Sequence, residues 1–229
     1  LRAVPQDRLI MLDYYCEFTE IWKQTQEFYG QPYIWCYLGN FGGNTMMSGN
    51  FRTVSSRIDD ALVNGGDNLI GMGSTLEGFG VNMFMYEYIL ERAWDTGMSD
   101  DEWIEVLADR RLGYADEGVR KAWRTLCDEV YTEHSKTGHA TLTCAHPALE
   151  GNWHWTTKPS TNYPTETLWN VWETLLSPES DRDTYGYDVV NVGRQVLGDH
   201  FMAVRDRFTE AYKSGDLPLM QEKAAMMLD

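Results

Sequence analysis

Basic residues are scarce in this chain: 19 Lys and Arg stand against 35 Asp and Glu among 229 residues, for a formal charge of −16. No basic cluster is interleaved with aromatics. Nucleic acid and anionic membrane surfaces are therefore excluded as expected partners, since polyanions would be repelled at long range. Long apolar runs are missing as well. None approaches the roughly 20 residues of a membrane span, so no membrane insertion is expected, and the opening "LRAVPQDRLIML" lacks the parts of a signal peptide. The four cysteines, Cys16, Cys36, Cys127 and Cys144, form no C-x-x-C pair, which excludes a zinc ribbon or a dense disulfide framework. There is no N-x-[ST] sequon, which speaks against a glycosylated secreted eukaryotic protein. The chain starts without Met, close to a strand, and ends in "LPLMQEKAAMMLD" with no terminal motif. A piece of a longer polypeptide is the expectation, and assembly into a homo-oligomer is left open.

What is present suffices for a folded core: 43% of the residues are apolar, enough for one large domain or two small ones. The first part reads strand, helix, strand, helix, strand. Short apolar runs at 8–12, 33–38 and 68–72 are joined by "FTEIWKQTQEFYG" and "FRTVSSRIDDALVNGG", the pattern of a parallel sheet with covered faces. Three such strands alone close no barrel.

Beyond residue 77 the period becomes helical. Val81, Phe84, Met85, Tyr88 and Ile89 share a face. "SDDEWIEVLADRRLG" opens on an S-x-x-E capping box at Ser99 and Glu102 and closes at Arg110, Arg111 and Gly113. Those arginines either bridge to carboxylates elsewhere or simply suit the helix dipole, and the dipole alone is sufficient reason for them. Further apolar stripes run through Val119, Ala122, Trp123, Leu126 and Val130, and through Leu168, Val171, Trp172 and Leu175, so that Trp123, Trp169 and Trp172 read as core. A last helix is expected from about 187 to 213. Between them lies a long segment rich in Gly, Pro, Thr, His and Trp, read as a functional loop. Its Trp153 and Trp155 read as seam packing, with sugar stacking the lesser alternative. Its histidines and cysteines, with Cys127, lack the close regular spacing of a metal site, so no metal is expected. The fold class is thus α/β followed by all-α, with a boundary near residue 95 separating 1–95 from 96–229.

In a parallel α/β barrel the chemistry sits on the loops beyond the C-terminal strand ends. Asp13 and Glu17 follow the first run; Asn40, Phe41, Gly42, Gly43 and Asn44 follow the second; Glu77 and Asn82 follow the third, in "GSTLEGFGVN". Carboxylates and amides converging on one mouth suit carbohydrate, which needs dense hydrogen bonding and apolar stacking. Glycoside hydrolysis needs two carboxylates, about 5 Å apart for retention and roughly 6.5 to 9.5 Å for inversion. Taken alone, Glu77 reads more readily as a first-turn residue that suits a helix dipole than as a catalytic one.

The stretches "GQPYIWCYLGNFGGNTMMSGNF" and "NGGDNLIGMGSTLEGFGVNMFMYEYILERAW" resemble the core signature of glycoside hydrolase family 89, the α-N-acetylglucosaminidases. "LRAVPQDRLIMLDYY", "WIEVLADRRLGY" and "VRKAWRTLCDEVY" resemble family segments in the same order. The resemblance implies the C-terminal strands of a (β/α)8 TIM-type barrel, 1–95, followed by the start of an α-helical domain, 96–229. It implies Glu77 as the nucleophile of a retaining exo-glycosidase that releases terminal α-linked N-acetylglucosamine from mucin-type or heparan-type glycans without a cofactor. The family's acid/base glutamate lies upstream of the stretch corresponding to Leu1, so the segment alone is expected to be inactive. Trp35, Asn40, Gly42 and Gly43 are candidates to line the site, and His139 matches by position a family histidine that reaches the sugar. The implied compartment is secreted or periplasmic in a bacterium and lysosomal in an animal. Two positions depart from the family pattern: Gly39 stands where a His is usual and Leu76 where a Pro is usual. The rival reading is a non-catalytic carbohydrate-binding module in which Glu77 merely caps a helix.

Overall fold

The computed structural model describes residues 1–41, 45–77, 82–94, 97–133 and 160–228. Strands β1 (Met11–Asp13), β2 (Tyr33–Tyr37) and β4 (Leu69–Ser74) form a parallel sheet in the order β1-β2-β4, with Leu12 beside Ile34 and Trp35 beside Met72. A two-residue strand β3 (Gly49–Asn50) pairs antiparallel with β5 (Thr132–Glu133), a contact that the sequence pattern did not announce.

Side chains alternate across a strand. Tyr33, Trp35 and Tyr37 of β2 are fully buried, and the Tyr33 hydroxyl donates to the carbonyl of Gly65. The opposite face of the sheet is open: Ile10 and Leu12 are 55% exposed and Ile70 is 51% exposed. A parallel sheet normally buries both faces. This open face is the one that points inward in a closed barrel.

Helix α3 (Phe51–Asn64) follows β3. Asn50 caps it by accepting the Thr53 N–H, and Phe51, Val54, Ile58 and Ala61 turn inward. The connection from β1 to β2 departs from the expected helix. Only Ile21–Gln24 (α1) is right-handed; Gln26–Tyr29 (α2) forms one left-handed turn with φ between 49° and 57°. The cause lies at Thr25, whose hydroxyl donates to the Ile21 carbonyl and accepts the Phe28 N–H, taking over bonds that a continuing helix would need. Left-handed residues cost roughly 1–2 kcal/mol each. The turn is held by Asn68, which donates to both Glu27 O and Gln31 O at 2.7 Å, and by Phe28, which packs on Tyr33.

Helix α4 (Met83–Arg92) buries Phe84, Met85, Tyr88 and Ile89, and α5 (Asp100–Leu112) has the full Ser99–Glu102 capping box and a left-handed Gly113 stop. Helix α6 (Glu117–Thr125) runs into a π turn at Leu126–Val130, after which come α7 (Thr165–Leu175), the long α8 (Asp183–Ser214) and α9 (Leu217–Leu228). The stripe from Val119 to Val130 is buried as expected. Trp169 is not core: it is 42% exposed and meets the edge of Trp172. Arg110 and Arg111 do more than suit a dipole. Arg110 binds Glu87 and Glu91 of α4, while Arg111 spans Glu87 and Asp188 of α8. Among the described residues no helix is long and apolar enough to cross a membrane.

Candidate active site

Two of the carboxylates at the strand ends are consumed by the backbone. Asp13, at the end of β1, is buried and accepts the N–H groups of Ile21 and Trp22 at 3.2 and 3.0 Å, closing the loop into α1. Glu17, also buried, accepts the Leu38 N–H at 3.1 Å and the Gly39 N–H at 2.7 Å. It therefore ties the β1 loop to the β2 loop. Burial pushes the Glu17 carboxyl up to about 7, with the N–H groups of Gly39 and Leu38 and the charge of Arg57 pulling the other way.

Glu77 is different. It follows β4, is exposed, and receives a hydrogen bond from the Tyr14 hydroxyl at 3.2 Å. Burial and the nearby carboxylates of Glu77 and Glu17 push the Tyr14 phenol above its ordinary value, so at neutral pH it remains protonated and donates. Tyr14 belongs to an aromatic rim. Tyr15, in the left-handed region at φ 71°, stacks on Phe18 at 5.4 Å and meets the edge of Phe41 at 5.6 Å, and both Tyr14 and Phe18 are about half exposed. A carboxylate beside exposed rings is chemically suited to a sugar, with an oxygen for the reacting carbon and apolar faces for the ring.

The remaining expected site residues fall into two groups. Trp35 and Asn40 do not lie on an open surface. Trp35 is fully buried, with its indole N–H on Glu20 at 3.3 Å, because odd-numbered positions of β2 face the core. Asn40 is buried as well; its amide donates to Met46 O at 2.7 Å and accepts from the Ser48 hydroxyl at 2.6 Å, folding the β2 loop back on itself. Gly42, Gly43 and His139 lie outside the described residues, as do Val81, Trp153 and Trp155. Among the described residues no cluster of three His, Cys, Asp or Glu side chains could hold a metal ion.

The Gly39 departure has a local reason. Gly39 sits at φ 78°, and a Cβ there would come within 2.7 Å of the Tyr86 hydroxyl, which donates to Leu38 O at 3.1 Å. The Tyr37 ring lies 3.0 Å from the same point, so any side chain there must displace Tyr86 or Tyr37 and adopt a left-handed φ. Sequence reasoning missed Tyr14, whose only signal was its place one residue beyond a strand end. It also missed Arg194 and Gln195 of α8, which reach the β2 loop from almost 150 residues away and carry no local signal at all.

Comparison with known proteins completes the picture. Residues 1–96 match the family profile "Alpha-N-acetylglucosaminidase (NAGLU) tim-barrel domain", and residues 103–229 match "Alpha-N-acetylglucosaminidase (NAGLU) C-terminal domain". The chain is 28% identical over 225 residues to the alpha-N-acetylglucosaminidase of Homo sapiens, an overlap of 95% of this chain and 30% of that protein. It is similar in fold to the family 89 glycoside hydrolase from Clostridium perfringens in complex with PUGNAc, with TM-score 0.86, 22% identity and coverage of 98% of this chain and 26% of that one. A second structure of the Clostridium perfringens protein, in complex with its substrate GlcNAc-alpha-1,4-galactose, gives TM-score 0.84, 22% identity and coverage of 96% and 25%. The fold is accordingly that of the last strands of a TIM-type barrel followed by helices. The chain spans less than a third of the length of each of these relatives.

Proposed function

The chain belongs to the α-N-acetylglucosaminidase family, and on that premise we propose that it supplies the nucleophile side of a retaining exo-glycosidase that releases terminal α-linked N-acetylglucosamine. The observation that carries the reading is Glu77: the one exposed carboxylate among Asp13, Glu17 and Glu77 at the strand ends, beside an aromatic rim and hydrogen-bonded by Tyr14. Glu77 attacks the anomeric carbon from one face of the sugar. The C1–O bond to the leaving group breaks as that oxygen takes a proton from a second carboxylic acid, and water then hydrolyses the glycosyl-enzyme. Asp13 and Glu17 are unsuited to be that acid, since both are buried and held by backbone N–H groups. The acid is assigned to the part of the barrel beyond this chain.

Charge argues for the substrate. At −16 the chain is poorly matched to a sulfated polymer, so an uncharged mucin-type glycan ending in α-linked N-acetylglucosamine is the preferred target. The GlcNAc-alpha-1,4-galactose bound by the Clostridium perfringens relative supports that preference. We further assign residues 1–95 to the barrel and 96–229 to the helical domain.

The test uses the barrel-complete protein, meaning this chain joined to the remaining barrel strands. It should cleave p-nitrophenyl α-N-acetylglucosaminide, and Glu77→Gln should lower the rate at least about a thousandfold. A Glu77→Gln protein with wild-type rate would sink the assignment.

A further inference from the structure

We propose that Gln195, with its neighbour Arg194, is a positioning residue for the Glu77 site, acting from the helical part of the molecule through the loop that follows β2. The proposal rests on the reading of Glu77 as nucleophile. Three side-chain amides from distant parts of the chain converge on the consecutive buried residues Met46, Met47 and Ser48. Asn40 donates to Met46 O at 2.7 Å and accepts from the Ser48 hydroxyl. Asn82 donates weakly to Met46 O and accepts the Ser48 N–H, each at 3.4 Å. Gln195, fully buried, accepts the Met47 N–H at 3.2 Å, while the flanking Arg194 donates to Thr45 O at 2.7 Å.

Asn82 gives this convergence its consequence. It lies five residues after Glu77 and immediately precedes α4, so its bonds tie the start of α4 to the Met46–Ser48 segment. Asn40 anchors the β2 loop, whose Phe41 meets Tyr15 of the β1 loop. The Met46–Ser48 segment is therefore the shared peg of Asn40, whose neighbour Phe41 leads through Tyr15 and Tyr14 to Glu77, and of Asn82 at the start of α4, and Gln195 fixes the peg. Its orientation is determined by its partners: Met47 offers only a donor and Asp199 only acceptors, so Oε1 must face the former and Nε2 the latter, 2.9 Å from Asp199 Oδ1. The Tyr163 hydroxyl takes the other Asp199 oxygen at 2.8 Å, so the far side of the clamp is itself fixed. If Gln195 merely satisfied buried polar groups, its loss would lower stability and leave the turnover of each folded molecule alone.

The experiment compares Gln195→Leu and Arg194→Gln with wild type in the barrel-complete protein, using p-nitrophenyl α-N-acetylglucosaminide and correcting for the folded fraction by circular dichroism. For Gln195→Leu the expected result is a kcat roughly 10- to 100-fold lower with KM changed less than about threefold, the pattern of a displaced reacting group. A kcat within twofold of wild type overturns the proposal. If Gln195→Leu fails to fold, Arg194→Gln decides, since it removes a half-buried contact at the rim of the clamp: a kcat lowered at least about threefold supports the proposal, and an unchanged one overturns it. The underlying reading is tested separately. A Glu77→Gln protein as active as wild type overturns the nucleophile, whereas an inactive one beside a wild-type-like Gln195→Leu overturns the clamp alone.

Discussion

The hydroxyl of Tyr14 lies 3.2 Å from Oε1 of Glu77, across 63 residues of sequence and from the loop of one parallel strand to the loop of another that is not its neighbour in the sheet. In the role proposed for Glu77, one carboxylate oxygen is presented to a sugar carbon, and a donated hydrogen bond steadies it there. Bonds to charged groups are worth about 1.5–3 kcal/mol, and this one is long and exposed, so the lower end applies. Tyr14→Phe in the barrel-complete protein should therefore lower kcat about tenfold on an aryl α-N-acetylglucosaminide while the ring keeps its place beside Tyr15. An unchanged kcat would remove Tyr14 from the site.

Glu17 makes stability depend on pH. Its carboxyl is raised in the folded state from 4.5 to about 7, chiefly by burial, so the folded protein holds this proton more tightly than the unfolded chain. The sign follows: the contribution is fully present below about pH 4.5 and is lost as pH rises through about 7. Glu17→Gln cannot titrate. The stability of wild type relative to Glu17→Gln should fall by up to about 3 kcal/mol between pH 4.5 and pH 8, read from denaturant midpoints. A constant difference across that range would show that the backbone N–H groups of Leu38 and Gly39 offset the burial.

Gly39 couples backbone shape to the same loops. Any side chain there meets both a left-handed φ and the Tyr86 hydroxyl at 2.7 Å. Left-handed strain costs roughly 1–2 kcal/mol and overpacking about as much again, so Gly39→Ala should destabilise by roughly 2–4 kcal/mol. Gly39→Ala combined with Tyr86→Phe should recover the part due to contact with the hydroxyl and leave the φ strain. Equal losses in the single and double variants would place the whole cost in the backbone.

The legible parts of this molecule were those with local causes. The Ser99–Glu102 box and Gly113 define α5 because capping chemistry acts within four residues, and the stripe from Val119 to Val130 is buried because helical spacing puts it on one face. The helix expected from 18 to 30 failed because the Thr25 hydroxyl competes for backbone bonds that a periodicity count ignores. At the candidate site, strand order puts Glu77 beyond the C-terminal end of β4. Residue type alone could not separate it from Asp13 and Glu17, which are buried and bound by backbone N–H groups. Trp35 read as a residue lining the site because it lies near a strand end, yet strand parity turns it into the core. Contacts such as Gln195 with Met47 join positions 148 residues apart and leave no trace in any local window.

The arginine that crosses from α5 to α8 gives the last test. Arg111 donates to both oxygens of Asp188 at 2.6 Å and to Glu87 at 2.6 Å, and both Arg111 and Asp188 are about 95% buried in their side chains. Bidentate geometry matches the guanidinium plane to the carboxylate, which lysine cannot do with a single ammonium. Removing one partner leaves the other charged and buried, so Arg111→Ala and Asp188→Ala should each cost roughly 3–5 kcal/mol, with Arg111→Lys recovering less than half of the Arg111→Ala loss. An apolar pair of similar volume removes both desolvation penalties together. The double variant Arg111→Met with Asp188→Leu should therefore lie within about 2 kcal/mol of wild type, far from the sum of the single losses. With Arg111→Met and Asp188→Leu also made singly, those two, the double variant and wild type form a double-mutant cycle measurable by denaturant unfolding. Additive losses would mean that the two side chains act on stability separately and that this ion pair does not hold the seam between α5 and α8.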